Sequence, residues 1–511
     1  MPIRAIALAL IAAAGPLVAE PVPARGGAPL SAIDWLSKDA PRAPGVPPRG
    51  TETAKGIITP EITVTPLGVP DAEAAGLFSP DSSGLPADLW SASDTADIAQ
   101  ALERAGSPSL PAMQRLLRAL LLTEAQPPAT SSDGSSFLLA RIDVLIELGA
   151  LDEVAALVEQ AGPRDAQILS RDFDVALLRG AEDEACKRLE AHPELTPSLP
   201  ARIFCLARAG DWSAAALSLE IGKALGKLDQ EEDALLARFL HADFAEDAPA
   251  ISRPKTATPL KFRLLEAIGE PLPTATLPRA YAYSDLRGLS GWKAQLSAAE
   301  RLAQAGAIPA GRLASSYRVR DAAASGGVWD RVDAVQALLD ALDAGDRSAA
   351  IKALPVAWER MSTAGLGGAL AAMAGEALAD LNLSGTPADL AFRLALLSPA
   401  YAEAAEARRI SDPEDRLLIG LAQGTPPESP ASSPVAKAVV AGFTASPPDA
   451  VAGLLDEGRK GEAILASMAE MNAADTPARL TRGIAGLRAA GLETVARRAA
   501  LELVLLPKTR S

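Results

Sequence analysis

ELGALDEVA (147–155), LRGAEDEAC (178–186) and RAGDWSAAA (208–216) share one phrase. It runs small residue or Leu, Gly, a polar step, an acidic residue or Ser, then Ala. Gly149, Gly180 and Gly210 are 31 and 30 residues apart, and Gly306 follows 96 residues after Gly210. The phrase returns as DAGDRSAAI around Gly345 and AAGLETVA around Gly491. A glycine recurring where one apolar-faced segment ends and the next begins marks a hairpin turn between helices, and a period near 31 predicts helix–turn–helix repeats.

The flanking segments agree. FLLARIDVLIELG (137–149), LDEVAALVEQAG (151–162), AQILSRDFDVALLRG (166–180) and AEDEACKRLEAH (181–192) are each short, apolar on one face and closed by a turn residue. Upstream, SDTADIAQALERAG (93–106) offers Ser93 or Asp94 as a cap and Ile98, Ala101, Leu102 and Ala105 on one face. LPAMQRLLRALLLTEA (110–125) reads as the next helix. Composition points the same way: 49% of residues are apolar but only 4% aromatic, so Ala, Leu and Val dominate. Such a mixture suits stacked helices better than a β-sandwich. The expected fold is all-α, an α-solenoid of degenerate helix–turn–helix repeats with an extended, largely disordered N-terminal tail.

Arg4 precedes an apolar run of about 15 residues, too short for a membrane span of roughly 20 but suited to a secretory signal. Cleavage after Ala19 or Ala24 would release a periplasmic protein; the competing reading is an uncleaved anchor. The expected organisation is a signal peptide (1–24), a Pro/Gly-rich tail (25–90), a helical block (91–245), a Pro-rich linker (246–283), and a second helical block (284–511) with a loop at 424–434.

Chemistry is sparse. The chain has two histidines, His192 and His241, and no HExxH or CxxC spacing, so no metal or cofactor is expected. Net charge is −15 without a Lys/Arg cluster, which argues against nucleic acid. Carboxylate runs such as Glu182–Glu184 and Glu231–Asp233 fall at helix starts, where negative charge favours the helix dipole. Trp212, Trp292, Trp329 and Trp358 lie at or near helix starts or on helices and read first as core residues. Cys186 and Cys205 flank a helix–turn–helix centred between Leu195 and Thr196. An antiparallel hairpin brings them level, and an oxidising compartment permits a disulfide.

Candidate partner-docking residues are two apolar islands in the tail, Ile33, Trp35 and Leu36, then Ile62 and Val64, together with Trp329 and Arg331 beside Ser325-Gly326-Gly327. Residues 25–60 carry five basic and three acidic residues on an otherwise acidic chain. The tail is expected either to dock a partner, for instance by adding Glu61–Thr65 to a sheet edge, or to pack along the protein's own helices.

The Gly-punctuated hairpins resemble tetratricopeptide-like α-solenoids, without that family's paired Trp, Tyr and Pro positions. ITVTPLGVPDAEAAGLF, FRLLEAIGEPLP, GWKAQLSAAERLA and ASGGVWDR resemble stretches of secreted alphaproteobacterial proteins, a resemblance that implies no activity. In compartment and build the chain also resembles the MotC-type periplasmic accessory proteins of flagellar motors. That resemblance implies a non-enzymatic scaffold with protein partners in the periplasm, motor components among them. The alternatives are an enzyme acting on cell-wall polymers, or its helical-ring partner as in lytic transglycosylases, and a carrier or chaperone for apolar ligands in the solenoid's hollow.

Overall fold

A computed structural model describes residues 71–129, 135–162, 165–240, 253–381, 383–427, 433–473 and 476–507, all within the unit Gly68–Ser511. These residues form twenty-five α-helices and no strand; a single parallel bridge joins Phe78 to Thr123. The chain is all-α.

The helices form where apolar spacing and end signals coincide. In Thr95–Ala105 the buried residues are Ile98, Ala101, Leu102 and Ala105, and Pro111–Leu122 opens with proline at its first position, where no N–H is needed. Gly149 and Gly180 end their helices at φ 82° and 80°, a left-handed conformation that other residues reach only with strain. The next residue turns back in each case: Ala150 N–H donates to the Leu145 carbonyl and Ala181 N–H to Ala176.

Two hydrophobic cores result. The larger extends from Ala72 to Leu501. The smaller gathers Phe173, Phe204, Leu219, Leu236 and Leu264 from the helices Ala166–Arg179, Leu199–Arg208, Trp212–Ala224, Gln230–Leu240 and Pro259–Ala267. Within this second core Cys186 and Cys205 lie at disulfide distance, their Cα atoms 5.1 Å apart.

The path departs from an open solenoid, in which each hairpin touches only its neighbours. Thr95–Ala105 packs on Lys460–Asn472, and Pro111–Leu122 packs on the last helix, Glu493–Leu505. Glu502 holds this closure: its carboxylate is 3% exposed, accepts from Ala112 N–H at 2.7 Å and pairs with Arg115 at 2.9 Å. A carboxylate thus satisfies one of the orphan donors at the start of Pro111–Leu122.

Two expected boundaries move. The tail was placed at 25–90, but from Asp71 the chain belongs to the body: Leu85, Leu89 and Trp90 are 3%, 0% and 1% exposed. Buried Arg141 ties this segment down, donating to the carbonyls of Ala75 (2.7 Å), Glu73 (3.1 Å) and Leu121 (3.3 Å). The 246–283 stretch, read as a linker, contains the helix Pro259–Ala267, which packs on Ala166–Arg179, and the buried run Ala280–Tyr283. Proline misled in both places. Pro80 and Pro259 sit at helix N-termini behind the capping side chains of Ser79 and Thr258, where proline starts helices rather than preventing them. The division into two helical blocks at 246–283 disappears with the linker, because Phe262 and Tyr281 join the larger core. Residues 428–432 of the 424–434 loop, and all of 1–70, lie outside the described residues.

Candidate protein-binding surfaces

Of the docking residues expected from sequence, Ile33, Trp35, Leu36, Ile62 and Val64 lie outside the described residues, as does His241. Trp329 and Arg331 are both engaged within the body. The Trp329 ring lies 5.2 Å from that of Trp292, whose indole is 8% exposed. Arg331 grips buried Glu300 with two hydrogen bonds, 2.7 Å from Nε and 2.5 Å from Nη2, and Tyr317 O–H donates to the same carboxylate at 2.8 Å. Buried beside Glu300, the Tyr317 phenol is held far above its ordinary range, first by desolvation and then by the Glu300 charge, with Arg331 pulling the other way. What this region offers a partner is the exposed Ser325-Gly326-Gly327 turn.

The other polar candidates are structural. Glu182–Glu184 and Glu231–Asp233 occupy first turns of helices, and buried Glu182 pairs with Arg263. His192 ends the helix Glu182–Ala191 with its Nδ1 3.6 Å from Glu194. Among the described residues no group of three or more His, Cys, Asp or Glu is placed to hold a metal ion, and no helix is long and apolar enough to cross a membrane.

A groove lies where distant parts of the chain meet. One section, ≈ 1030 Å³, is bounded by Ser107–Ser109, Glu147, Arg279, Arg301 and Ser362–Gly365. A second, ≈ 580 Å³, runs on past Gln114, Asn472 and Leu503. The sections share Ser109, Gln304, Ser362, Gly365 and Pro507 and so lie side by side.

Its walls are fixed by hydrogen bonds to backbone carbonyls. Arg301 donates to Thr274 (3.0 Å) and Leu277 (2.6 Å), Gln304 to Ala364 (2.6 Å), and Gln114 to both Pro108 (3.0 Å) and Gln304 (2.7 Å). Arg279, half-buried, is pushed below the usual arginine range by desolvation and then by the charge of Arg301. Two guanidiniums against the single carboxylate of Glu147 leave this end of the groove positive. No sequence pattern announces it, because its residues come from separate stretches that only the closure of the chain assembles.

A second surface is apolar. The helix Trp212–Ala224 buries only Ala215, Leu219 and Gly222; on its other side Leu217, Ile221 and Leu225 are 63%, 49% and 66% exposed. Trp212, read as a core residue, is 51% exposed and meets Phe239 at a tilt, 6.2 Å between ring centres. The signal was in the sequence: ALSLEIGKALG (216–226) is apolar on both faces of a helix, and only one can meet the core.

No family model, curated protein or solved structure matches the chain.

Proposed function

We propose that this chain is an exported, non-enzymatic helical scaffold that holds an extended segment of a partner protein in the groove between Ser107 and Leu503. The observation that carries the reading is that the two groove sections adjoin along Ser109, Gln304, Ser362, Gly365 and Pro507. Compact ligands are mostly enclosed in single, largely apolar pockets of roughly 300–1,000 Å³. A longer channel floored by serines, glycines and carbonyl-bound side chains suits a polypeptide in extended conformation. The positive end at Arg279 and Arg301 favours a segment carrying a carboxylate.

The signal-like N-terminus and the disulfide-distance cysteines support the periplasm as the compartment. The all-helical build, with short turns between successive helices, supports a scaffold. The partner most in keeping with this build is an envelope machine such as the flagellar motor.

A photo-crosslinking residue at Thr363, in the groove, tests the reading in the exporting cell. One dominant crosslinked protein, lost when Arg279 and Arg301 are both changed to Glu, is the expected result. Crosslinks that persist in that variant, or crosslinks to glycan strands, would replace the reading.

A further inference from the structure

Arginines elsewhere in the body end on carboxylates: Arg115 on Glu502, Arg331 on Glu300, Arg408 on Asp389 and Asp415. Arg279 and Arg301 are bonded, among the described residues, to backbone carbonyls alone. Arg301 donates to Thr274 and Leu277, and Arg279 reaches the Glu147 carbonyl at 3.4 Å. Holding two guanidiniums together while half-buried is unfavourable, through desolvation and mutual repulsion. The carbonyl bonds account for Arg301, which ties down residues 274–277. Nothing within the body accounts for Arg279 beside it. Glu147, whose carboxylate accepts from the Ser107 hydroxyl at 3.5 Å, is the one acid bounding that section and leaves positive charge in excess. An anion from outside relieves the repulsion.

The adjoining section differs in kind. Leu110, Val435, Leu503 and Leu506 are half-buried there, beside buried Met471 and Leu480. Apolar surface left open in a concave site is covered by an apolar group, and the flexible thioether of Met471 adapts to its shape. A simple anion would answer the first section and leave the second bare. An apolar molecule would do the reverse.

The fold sets the distance between the two demands. Gln304 lies one helical turn beyond Arg301, Gln114 touches the Gln304 carbonyl at 2.7 Å, and Leu110 lies one turn before Gln114. That path spans roughly 10–15 Å, which an extended chain covers in about three to four residues. We infer that the groove selects an extended protein segment in which a glutamate or aspartate, held by Arg279 and Arg301, stands about three to four positions from a bulky apolar residue seated among Leu110, Val435, Leu503 and Leu506. The inference rests on the groove being a protein-binding site and names the segment it takes.

An array of short Gly/Ser peptides, each with one glutamate and one leucine placed independently, tests it on the mature chain. Binding should peak at a separation of about three to four residues and fall about tenfold when the glutamate becomes glutamine. Arg279→Glu should transfer the preference from glutamate to lysine without moving the leucine. Leu503→Ala should abolish the preference for leucine and keep that for glutamate. Circular dichroism checks that both variants fold, and Leu110→Ala replaces Leu503→Ala if the latter does not. Peptides bound regardless of spacing, or a glutamate preference that survives Arg279→Glu, overturn the inference. The scaffold reading, decided by the Thr363 crosslinks, would then still stand. Tighter binding of phosphoserine than of glutamate would make this a phosphate site and overturn it equally. Peptides that bind only after residues 1–70 or 508–511 are removed would assign the groove to the chain itself, and an array without binding would dismiss the motif.

Discussion

Glu502 and Ala112 stand 390 positions apart in the chain, yet the carboxylate of the first receives the backbone N–H of the second at 2.7 Å. The acceptor is almost fully buried, and burial raises its pKa above the usual carboxylate range, opposed chiefly by Arg115. Glu502→Ala leaves the Ala112 donor unpaired inside the body and should cost about 2–3 kcal/mol. Glu502→Gln, which keeps an acceptor, should cost less than half of that. Urea denaturation compares the two; equal losses would mean that packing rather than the hydrogen bond holds the closure.

Trp90 rests on a backbone with no side chain. A Cβ at Gly461 would come within 2.2 Å of the indole, and Gly461 N–H donates to the Leu89 carbonyl at 3.1 Å. Trp90→Ala should therefore cost about 3–5 kcal/mol, and Gly461→Ala about 1–3 kcal/mol by overpacking. The same contact dictates where the tail is cut. Removing residues 25–90 takes Leu85, Leu89 and Trp90 from the core and should lower the melting temperature sharply. Removing only 25–70 asks separately whether the islands around Trp35 and Ile62–Val64 serve a partner, read as loss of crosslinking at unchanged stability.

Reduction should loosen one part of the molecule. Cys186 and Cys205 close a loop of 19-residue separation, a span whose loss costs about 3 kcal/mol in the chain-entropy account. With both changed to Ser, hydrogen exchange should quicken in Glu182–Ala191 and Leu199–Arg208 while the Glu493–Leu505 helix stays protected. Both thiols found reactive after unfolding the unreduced native protein would exclude the bridge.

Asp174 gives the fold a pH dependence. Burial lifts its carboxyl from 3.8 to about 6, with Arg171 pulling the other way. The folded state thus holds the proton more tightly than the unfolded chain, so this residue's contribution declines as pH rises from about 4 through about 6 and is constant above. Asp174→Asn should recover up to about 3 kcal/mol at pH 7.5 and almost nothing at pH 3.5. Urea midpoints measured at both values decide it; a uniform offset would deny the titration.

Local features of the fold were legible in the chain. Ile98, Ala101, Leu102 and Ala105 could be assigned to one face because helical periodicity depends only on near neighbours, and the cysteine pairing followed from counting outward from a turn. Residues whose partners lie far along the chain were opaque. Arg141 looks like any surface arginine of a helix until Asp71–Leu77 folds over it. Arg301, Gln304 and Thr363 become neighbours only when helices some 60 residues apart pack together, as the Gln304 bond to Ala364 shows. Proline was read through its average behaviour, whereas at Pro80 and Pro259 the preceding Ser79 and Thr258 reverse its meaning. Trp212 was misjudged because an aromatic at a helix start packs inward only if that side of the helix faces a core.

The meeting of first and last helices also fixes when folding can finish. In a stack of hairpins each unit covers the one before it, so apolar surface is hidden almost as fast as it emerges. Here Pro111–Leu122 waits for Glu493–Leu505, and at about 5–20 residues per second the 390 positions between Ala112 and Glu502 take roughly 20–80 s to synthesise. For that interval the opening helices lack their cover, and any chain halted before Glu493 keeps them bare. Until that last helix is in place, the apolar face of Pro111–Leu122 stays open to association with other chains.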